Sequence, residues 1–379
     1  MKKVLLGSTA LVAAGLIAGD AAAADGVKLS LGGYYRGVAG VMFDDFDGAA
    51  AGLEDDLRDY VFKQDVEVHF RGETTLDNGL TVGAVVQLEG QTSGDQIDEV
   101  YAYFSGGWGE LRFGDDDEAL SQLCSITPSA AANFGPDSPF FSFSNSAAAG
   151  ALAYAGTNGT CYGTDSDSTK LIYFSPNWGG FSFAASFTPD GTQDTRNTVS
   201  GAGTRFENNP GQLSDNVSLA ANFNHDFNGV TLNIGGGATW NLDREGLPGV
   251  DETEEYQGYA SVGFFGFTIG GAIDLRNNFG VDGSDRLVYG AGLTYNWDAW
   301  TVGIGWTHGD YEIAQLTALT LTSDAEQNQD IFALTAAYAL GPGITVDGVV
   351  EWVDSETDAG ALSNEYQGIS FGLGTLISF

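Results

Sequence analysis

Residues 369–379, ISFGLGTLISF, alternate in character along their whole length. Ile369, Phe371, Leu373 and Phe379 fall on one set of alternate positions, and the positions between are mostly small or polar. Successive side chains of a β-strand point to opposite faces, so the stretch predicts a strand with one apolar and one nearly bare face. Such a strand fits a soluble β-domain as well as a membrane barrel, and the rest of the chain distinguishes them.

Residues 1–24 have the layout of a secretory signal peptide. A dibasic start is followed by the apolar stretch Val4–Ala18 and by four alanines that end at Ala24, where we expect cleavage. The apolar stretch is too short to span a bilayer, and no later segment has the apolar length of a transmembrane helix. Residues 25–379 are therefore expected to form one exported domain that is periplasmic, secreted or an outer-membrane barrel.

Composition favours strands at a lipid boundary. Glycine accounts for 55 of 379 residues, about double the usual ~7%, and aromatic residues reach 12%. Glycine suits strands that curve and pack closely, and aromatic side chains suit the rims of a membrane barrel. The mean hydropathy of −0.06 is near neutral, as expected when one face of each strand is wet.

The chain is strongly acidic, with a formal net charge of −37. Removal of the signal peptide leaves 12 basic and 50 acidic side chains, or about −38. This excess argues against nucleic acid or anionic lipid as a direct partner. It permits divalent cations such as calcium to bind loosely in acidic loops and to bridge them to a negatively charged outer leaflet. We expect no other cofactor and no specific metal site.

Cys124 and Cys161 are the two cysteines of the chain. An exported chain passes through an oxidising compartment, so the pair predicts a disulfide. Two unpaired buried thiols are the alternative. A metal site at these cysteines is not expected, because no histidine or further cysteine lies nearby in the sequence.

Strand-like segments recur in pairs along the chain. Seven short turns rich in Gly, Asn and Asp join the two members of each pair, at 77–79, 106–109, 177–180, 226–229, 265–266, 296–299 and 340–343. Longer polar connectors separate the pairs, at 44–59, 90–96, 115–168, 189–213, 244–253, 277–284, 312–328 and 355–364. With a first and a last strand, this pattern predicts about sixteen strands, and a barrel of that width has a water-filled interior.

The side chains on the two faces of a strand indicate whether each face meets water or lipid. Val66, Val68 and Phe70 share one face of the second strand, and the opposite face carries Lys63, Asp65, Glu67, His69, Arg71 and Glu73. Charges opposite a wholly apolar face fit a strand with lipid outside and water inside. We therefore predict an all-β, transmembrane, antiparallel up-and-down barrel. A soluble two-sided sheet is the alternative.

Three segments and the last residue resemble the general diffusion porins of Gram-negative bacteria, in particular the alphaproteobacterial type. The segments are FRGETTLDNGLTVGA (70–84), VYAYFSGGWGELRFG (100–114) and IYFSPNWGGFSF (172–183). The resemblance implies a sixteen-stranded outer-membrane barrel, usually a homotrimer, with a third external loop that folds inward. It also implies that Phe379 belongs to the membrane-insertion signal, and that outer-membrane lipid and lipopolysaccharide surround the barrel.

The longest connector, 115–168, is the third external loop in this count. The resemblance implies that acidic residues of this constriction loop face basic residues of the wall, which creates a transverse field in the pore. The candidates are Asp115, Asp116, Asp117 and Glu118 on the loop and Arg36, Lys63, Arg71 and Arg112 on the wall. Arg71 and Glu73 could instead be an ordinary ion pair of the lumen. A disulfide within the loop departs from the family pattern.

These features predict a water-filled channel for passive diffusion of ions and small hydrophilic solutes. Acidic residues outnumber basic ones even near the expected constriction, so we expect a moderate cation preference. A substrate-selective channel is one alternative, and it predicts a ladder of aromatic or basic side chains. A barrel enzyme or adhesin is another, but the three histidines lack an accompanying nucleophile motif such as Gly-x-Ser-x-Gly, so we expect no enzyme.

Overall fold

The computed structural model describes residues 26–48, 57–90, 96–143, 158–165, 167–191, 214–243, 252–278, 283–317, 320–358 and 363–379. The expected signal peptide lies outside these residues. The described residues form one short helix, α1 (Ala119–Leu123), and sixteen strands. The strands are β1 (Lys28–Gly48), β2 (Tyr60–Thr75), β3 (Thr81–Glu89), β4 (Ile97–Gly106), β5 (Gly109–Asp115), β6 (Thr169–Phe174), β7 (Phe181–Asp190), β8 (Ser214–Asp226), β9 (Val230–Asp243), β10 (Glu254–Phe264), β11 (Phe267–Asn277), β12 (Asp285–Trp297), β13 (Trp300–Thr317), β14 (Thr320–Gly341), β15 (Ile344–Asp358) and β16 (Asn364–Ser378).

Each strand pairs antiparallel with its neighbours in sequence, and β16 pairs with β1 to close the barrel. The predicted sixteen-stranded up-and-down barrel is therefore confirmed. No helix among the described residues is long and apolar enough to cross a membrane.

All seven predicted short turns connect the strand pairs they were expected to connect, and they lie at one end of the barrel, here called the turn end. The prediction of a long loop at 312–328 was wrong. β13 continues to Thr317 and β14 begins at Thr320, so most of this connector extends the hairpin. Polar residues in a sequence do not by themselves end a strand, because a strand can continue beyond the lipid.

Lateral rows of outward side chains show where lipid meets the barrel. Val41, Phe371, Val350, Leu334 and Ile304 occupy one row across β1, β16, β15, β14 and β13, and each is exposed. Aromatic rows border this apolar belt on both sides. Trp297, Trp300 and Tyr338 lie on the turn side, and Phe43, Trp352, Phe332 and Trp306 lie on the opposite, loop side. This arrangement is that of a barrel surrounded by a bilayer.

The seam between β1 and β16 ends at Phe379. The Gly33 N–H donates to the Phe379 carbonyl at 3.0 Å, and the Phe379 N–H donates to the Gly33 carbonyl at 3.1 Å. Gly33 has a φ of 149°, and a Cβ there would lie 2.2 Å from the Glu67 carbonyl oxygen. The last residue is thus held by a backbone position that only glycine fits.

We expect Gly33→Ala to lower barrel stability, because it adds a backbone clash and about 1–3 kcal/mol of conformational strain at the closing seam. Gly32→Ala is the matched control, since a Cβ at Gly32 would meet its nearest atom at 3.4 Å. The measurement is the folded fraction after heating in detergent, by gel mobility. Equal stability of the two variants would contradict this account of the seam.

Candidate functional site

The constriction loop begins with α1, which packs on the inner wall. The Ala119 N–H donates to Ser186 Oγ at 3.0 Å, and the Leu120 N–H donates to Ser218 Oγ at 2.9 Å. At the other end of the helix, the Tyr259 hydroxyl donates to the Leu123 carbonyl at 2.8 Å. Wall hydroxyls therefore satisfy helix-end groups that have no partner within the helix.

Beyond α1, the loop crosses β12 and β13 over glycines of the wall. A Cβ at Gly292 would lie 2.3 Å from the Pro128 carbonyl oxygen, and one at Gly305 would lie 2.8 Å from Pro136 Cγ. The adjacent wall strand β14 supplies a hydrogen bond, from the Ala130 N–H to Thr335 Oγ1 at 3.1 Å. Part of the unusual glycine content therefore makes room for the loop on the inner wall.

The loop then reaches β15, β1 and β2 through an apolar contact. Three loop phenylalanines pack against inward side chains of the wall, in a buried cluster of Phe134, Phe141, Phe143, Val38, Met42, Ala333 and Val349. A fully buried Phe side chain contributes about 1.5–3 kcal/mol relative to an exposed one, so this contact is substantial. The described part of the loop lies inside the barrel and covers the wall from β7 round to β1, and it touches β2 at Lys63.

A Cys124–Cys161 disulfide is present, as predicted, with a Cα–Cα distance of 5.7 Å. It ties the end of α1 to the returning segment 158–165. Asn158 anchors that segment, because its Nδ2 donates to Thr307 Oγ1 at 3.2 Å and to the Gln329 carbonyl at 3.1 Å. The two halves of the loop are thus joined to each other and to the wall.

The acidic start of the loop does not form one charged surface. Asp115 is the last residue of β5, and its alternation places it on the outward face with Phe113. The expectation that Asp115 faces the lumen is therefore corrected, because the strand runs one residue further than the sequence pattern suggested. Asp116 is fully buried and accepts from Arg112 Nη1 at 2.8 Å and from Gln122 Nε2 at 2.7 Å.

Glu118 is also buried between the loop and the wall, and Asp117 beside it is partly buried. Burial raises the pKa of the Glu118 carboxyl to about 8, and the negative charge of Asp165 adds to the rise. Two hydrogen bonds to the carboxylate oppose this rise in pKa, from the Thr164 N–H at 2.9 Å and from Thr239 Oγ1 at 3.1 Å. Burial, with the charge of Asp167, raises the pKa of Asp117 to about 6. The Glu118 carboxyl therefore carries less negative charge near neutral pH than an exposed glutamate does.

Three of the four predicted wall cations make hydrogen bonds to the loop or to adjacent carboxylates. Arg36 Nη1 donates to the Ala132 carbonyl at 3.3 Å, and Lys63 Nζ donates to the Ser142 carbonyl. Arg112 is buried and pairs with Asp116 and Glu110. The fourth, Arg71, keeps a half-exposed side chain 3.9 Å from a Glu73 oxygen. The loop and the predicted basic wall are in contact, rather than opposed across a wide gap.

Among the lumen carboxylates that the sequence analysis missed are two neighbours on β4. β4 carries one residue more than β3 between the pairs Leu88↔Ile97 and Val86↔Val100. This β-bulge turns the adjacent Asp98 and Glu99 to the inside, which strict alternation forbids. The signal was present in the sequence, because two neighbouring carboxylates interrupt the alternation of the fourth strand.

The bulge brings Asp98 close to Glu67 and Glu89, and carboxylate oxygens of the three residues lie within 4.8 Å of one another. Glu67 also forms a hydrogen bond with His69 Nε2 at 2.7 Å and accepts a hydrogen bond from the Tyr34 hydroxyl. Oxygen ligands at this spacing are the type that a hard divalent cation prefers.

The fold matches solved porin structures. It matches OmpT, an outer membrane protein of Vibrio cholerae, with a TM-score of 0.58 and 11% identity over 95% of this chain and 100% of that one. An anion-selective porin from Comamonas acidovorans matches with a TM-score of 0.54 and 16% identity, over 93% of this chain and 100% of that one. A porin refined at 1.8 Å resolution matches with a TM-score of 0.54 and 17% identity, over 93% of this chain and 100% of that one. At these identities the likeness shows the fold alone.

No curated protein matches the sequence. The model of the Gram-negative porin family matches residues 7–358. Together with the closed sixteen-stranded barrel, this match over nearly the whole chain shows that the protein belongs to the Gram-negative porin family, whose members are outer-membrane channels for the diffusion of small solutes.

Proposed function

We propose that this porin is a passive, cation-preferring channel for ions and small hydrophilic solutes. The observation that carries the proposal is the charge of the wall that the described part of the loop leaves uncovered. The inward side chains of β2, β3 and β4 include the carboxylates Asp65, Glu67, Glu73, Glu89, Asp98 and Glu99. Arg71 is their half-exposed basic neighbour.

Position matters more than net charge in this argument. Mobile salt screens charges beyond a Debye length of about 8 Å at physiological ionic strength, so distant acidic loops contribute little inside the pore. Carboxylates in the lumen act over shorter distances and raise the local concentration of cations. Arg112 offsets them little, because it is buried and paired with Asp116 and Glu110. Arg36 and Lys63 lie on the part of the wall that the loop contacts.

The reversal potential in a KCl gradient across a planar bilayer tests this proposal. We expect a cation-selective sign whose magnitude grows as the salt concentration falls. Replacing two lumen carboxylates of the neighbouring strands, Asp65→Asn with Glu89→Gln, should lower the cation preference several-fold, and Arg71→Ala should raise it. Asp115→Asn is the matched control and should have little effect, because Asp115 lies on the outward face. An anion-selective wild type would refute the proposal.

We also propose that the porin is a homotrimer, with β3 and β4 at the subunit contact. These strands are short, at 9 and 10 residues. The middle rows of their outward faces carry small and medium aliphatic side chains, namely Ala84, Val86, Val100 and Ala102. Small side chains allow close contact between protein surfaces within a membrane. A Vibrio cholerae OmpT structure is described as a trimer form, which supports the proposal by analogy of fold.

Bulky residues at this surface should separate the subunits. We expect Ala84→Trp with Ala102→Trp to convert trimers into monomers, because the indoles prevent close contact. Ala336→Trp, on the outward face of β14, is the control and should leave the trimer intact. Light scattering of the protein in detergent gives the mass. A monomeric wild type, or a trimeric double variant, would contradict the assignment.

The outward side chains just beyond the loop-side aromatic row are suited to contact lipid headgroups. The next two rows on β1, β14, β15 and β16 carry carboxylates and amides, and include Asp45, Asp330, Asp354, Asp47, Glu356 and Glu365. These rows lie one and two steps beyond the aromatic residues, at the level of lipid headgroups. We propose that divalent cations link these carboxylates to anionic groups of the outer leaflet, such as lipopolysaccharide.

This proposal predicts that lipopolysaccharide remains with the purified porin in calcium or magnesium and is lost in a chelator. Asp354→Asn with Glu356→Gln and Glu365→Gln should release it even with divalent cations present, whereas Glu99→Gln should not, because Glu99 faces the lumen. The measurement is the amount of lipopolysaccharide that remains bound after gel filtration. Retention that is unaffected by the chelator would argue against cation bridges.

A further inference from the structure

One short segment of the constriction loop is held from two sides. The Asp347 carboxylate on β15 accepts the N–H groups of Ala132 and Asn133, both at 2.8 Å, and Asn133 Nδ2 donates to its other oxygen at 2.8 Å. From β1, Arg36 Nη1 donates to the Ala132 carbonyl at 3.3 Å. Donors and acceptors of the same peptide segment are thus bound by opposite charges from two wall strands.

The wall is shaped for this contact. Asp347 is 2% exposed, and a buried carboxylate is tolerated only when donors surround it. Gly374 on β16 lies in register with Asp347. A Cβ at Gly374 would lie 2.8 Å from Asp347 Oδ1 and 2.9 Å from Asn133 Nδ2. The glycine therefore leaves the space in which carboxylate and loop amide meet.

Arg36 is also covered by the loop. Its guanidinium carbon lies 3.7 Å from the centre of the Phe140 ring and 4.8 Å from the centre of the Tyr34 ring. The edge of the guanidinium therefore binds a loop carbonyl while its face stacks on a loop aromatic ring. A planar guanidinium makes both contacts at once, which a lysine ammonium cannot do.

We propose that Arg36 and Asp347 are positioning residues, a latch that fixes the loop at Ala132–Asn133 and thereby sets the open cross-section of the pore. In this role Arg36 acts on the loop, and its charge is not a solute-facing element of the wall. The proposal rests on the proposed channel function, since it assigns these residues to control of the same pore.

Single-channel recordings in planar bilayers test the latch. Arg36→Lys keeps the charge and Asp347→Asn keeps the shape, and both weaken the hold on the loop. We expect each to increase the time spent at reduced or fluctuating conductance about tenfold, the factor that follows from loss of one hydrogen bond worth about 1.4 kcal/mol. The double variant should add little to the stronger single variant, because both residues hold one segment.

Arg71→Lys is the matched control and should behave as wild type, because Arg71 is a lumen arginine whose contacts among the described residues are with Glu73 and Tyr103 of the wall. If Asp347→Asn fails to assemble, Asn133→Ala removes the loop side chain that donates to Asp347 and leaves the barrel strands intact. The latch is refuted if Arg36→Lys has the conductance record of the wild type while Arg36→Gln changes only the reversal potential. Arg36 would then act as a charge of the lumen.

Failure of the channel function is a separate outcome. A wild-type barrel that carries no current would refute the proposed function, and the latch would then be judged by chymotrypsin cleavage after Phe140, Phe141 and Phe143. Cleavage should be about tenfold faster in Arg36→Lys and Asp347→Asn than in Arg71→Lys. Equal cleavage rates in all three variants would refute the latch.

Discussion

A strand in a bilayer has no water with which to pair its backbone, and this constraint underlies the whole structure. Every N–H and C=O in the hydrocarbon region has to find a partner within the protein, so the sheet must close. Closure takes place between β1 and β16 and ends at the Gly33–Phe379 pair. Once the sheet is closed, alternation along each strand gives an apolar outside and a polar inside.

Sixteen strands enclose more space than wall side chains can fill, and the constriction loop takes up part of it. Docking of this loop uses wall features that would otherwise look unrelated. Glycines give it room, hydroxyls satisfy its amides, and Arg36, Lys63 and Arg112 bind its carbonyls or its carboxylates. The charge of Arg112 is offset by Asp116 of the loop and by Glu110, so it no longer balances the carboxylates of β2, β3 and β4, which links docking to the proposed selectivity.

The strand number, the seven short turns and the faces of the early strands could be predicted from the sequence, because each depends on alternation within a few residues. Features that depend on register or on distant contacts could not. Asp98 and Glu99 both face inward only because β4 bulges against β3, and Asp115 faces outward only because β5 extends to it. The partners of Arg36 come from a loop about a hundred residues away, which no local pattern reveals.

The central claim is that the constriction loop is a fixed part of the inner wall. Hydrogen exchange of backbone amides in the folded wild-type porin tests it most directly. The amides of Thr127, Ala130, Ala132 and Asn133 all donate to buried side chains, and the account predicts that they exchange nearly as slowly as amides of the barrel strands. Exchange of these four amides at the rate of an unstructured peptide would contradict it.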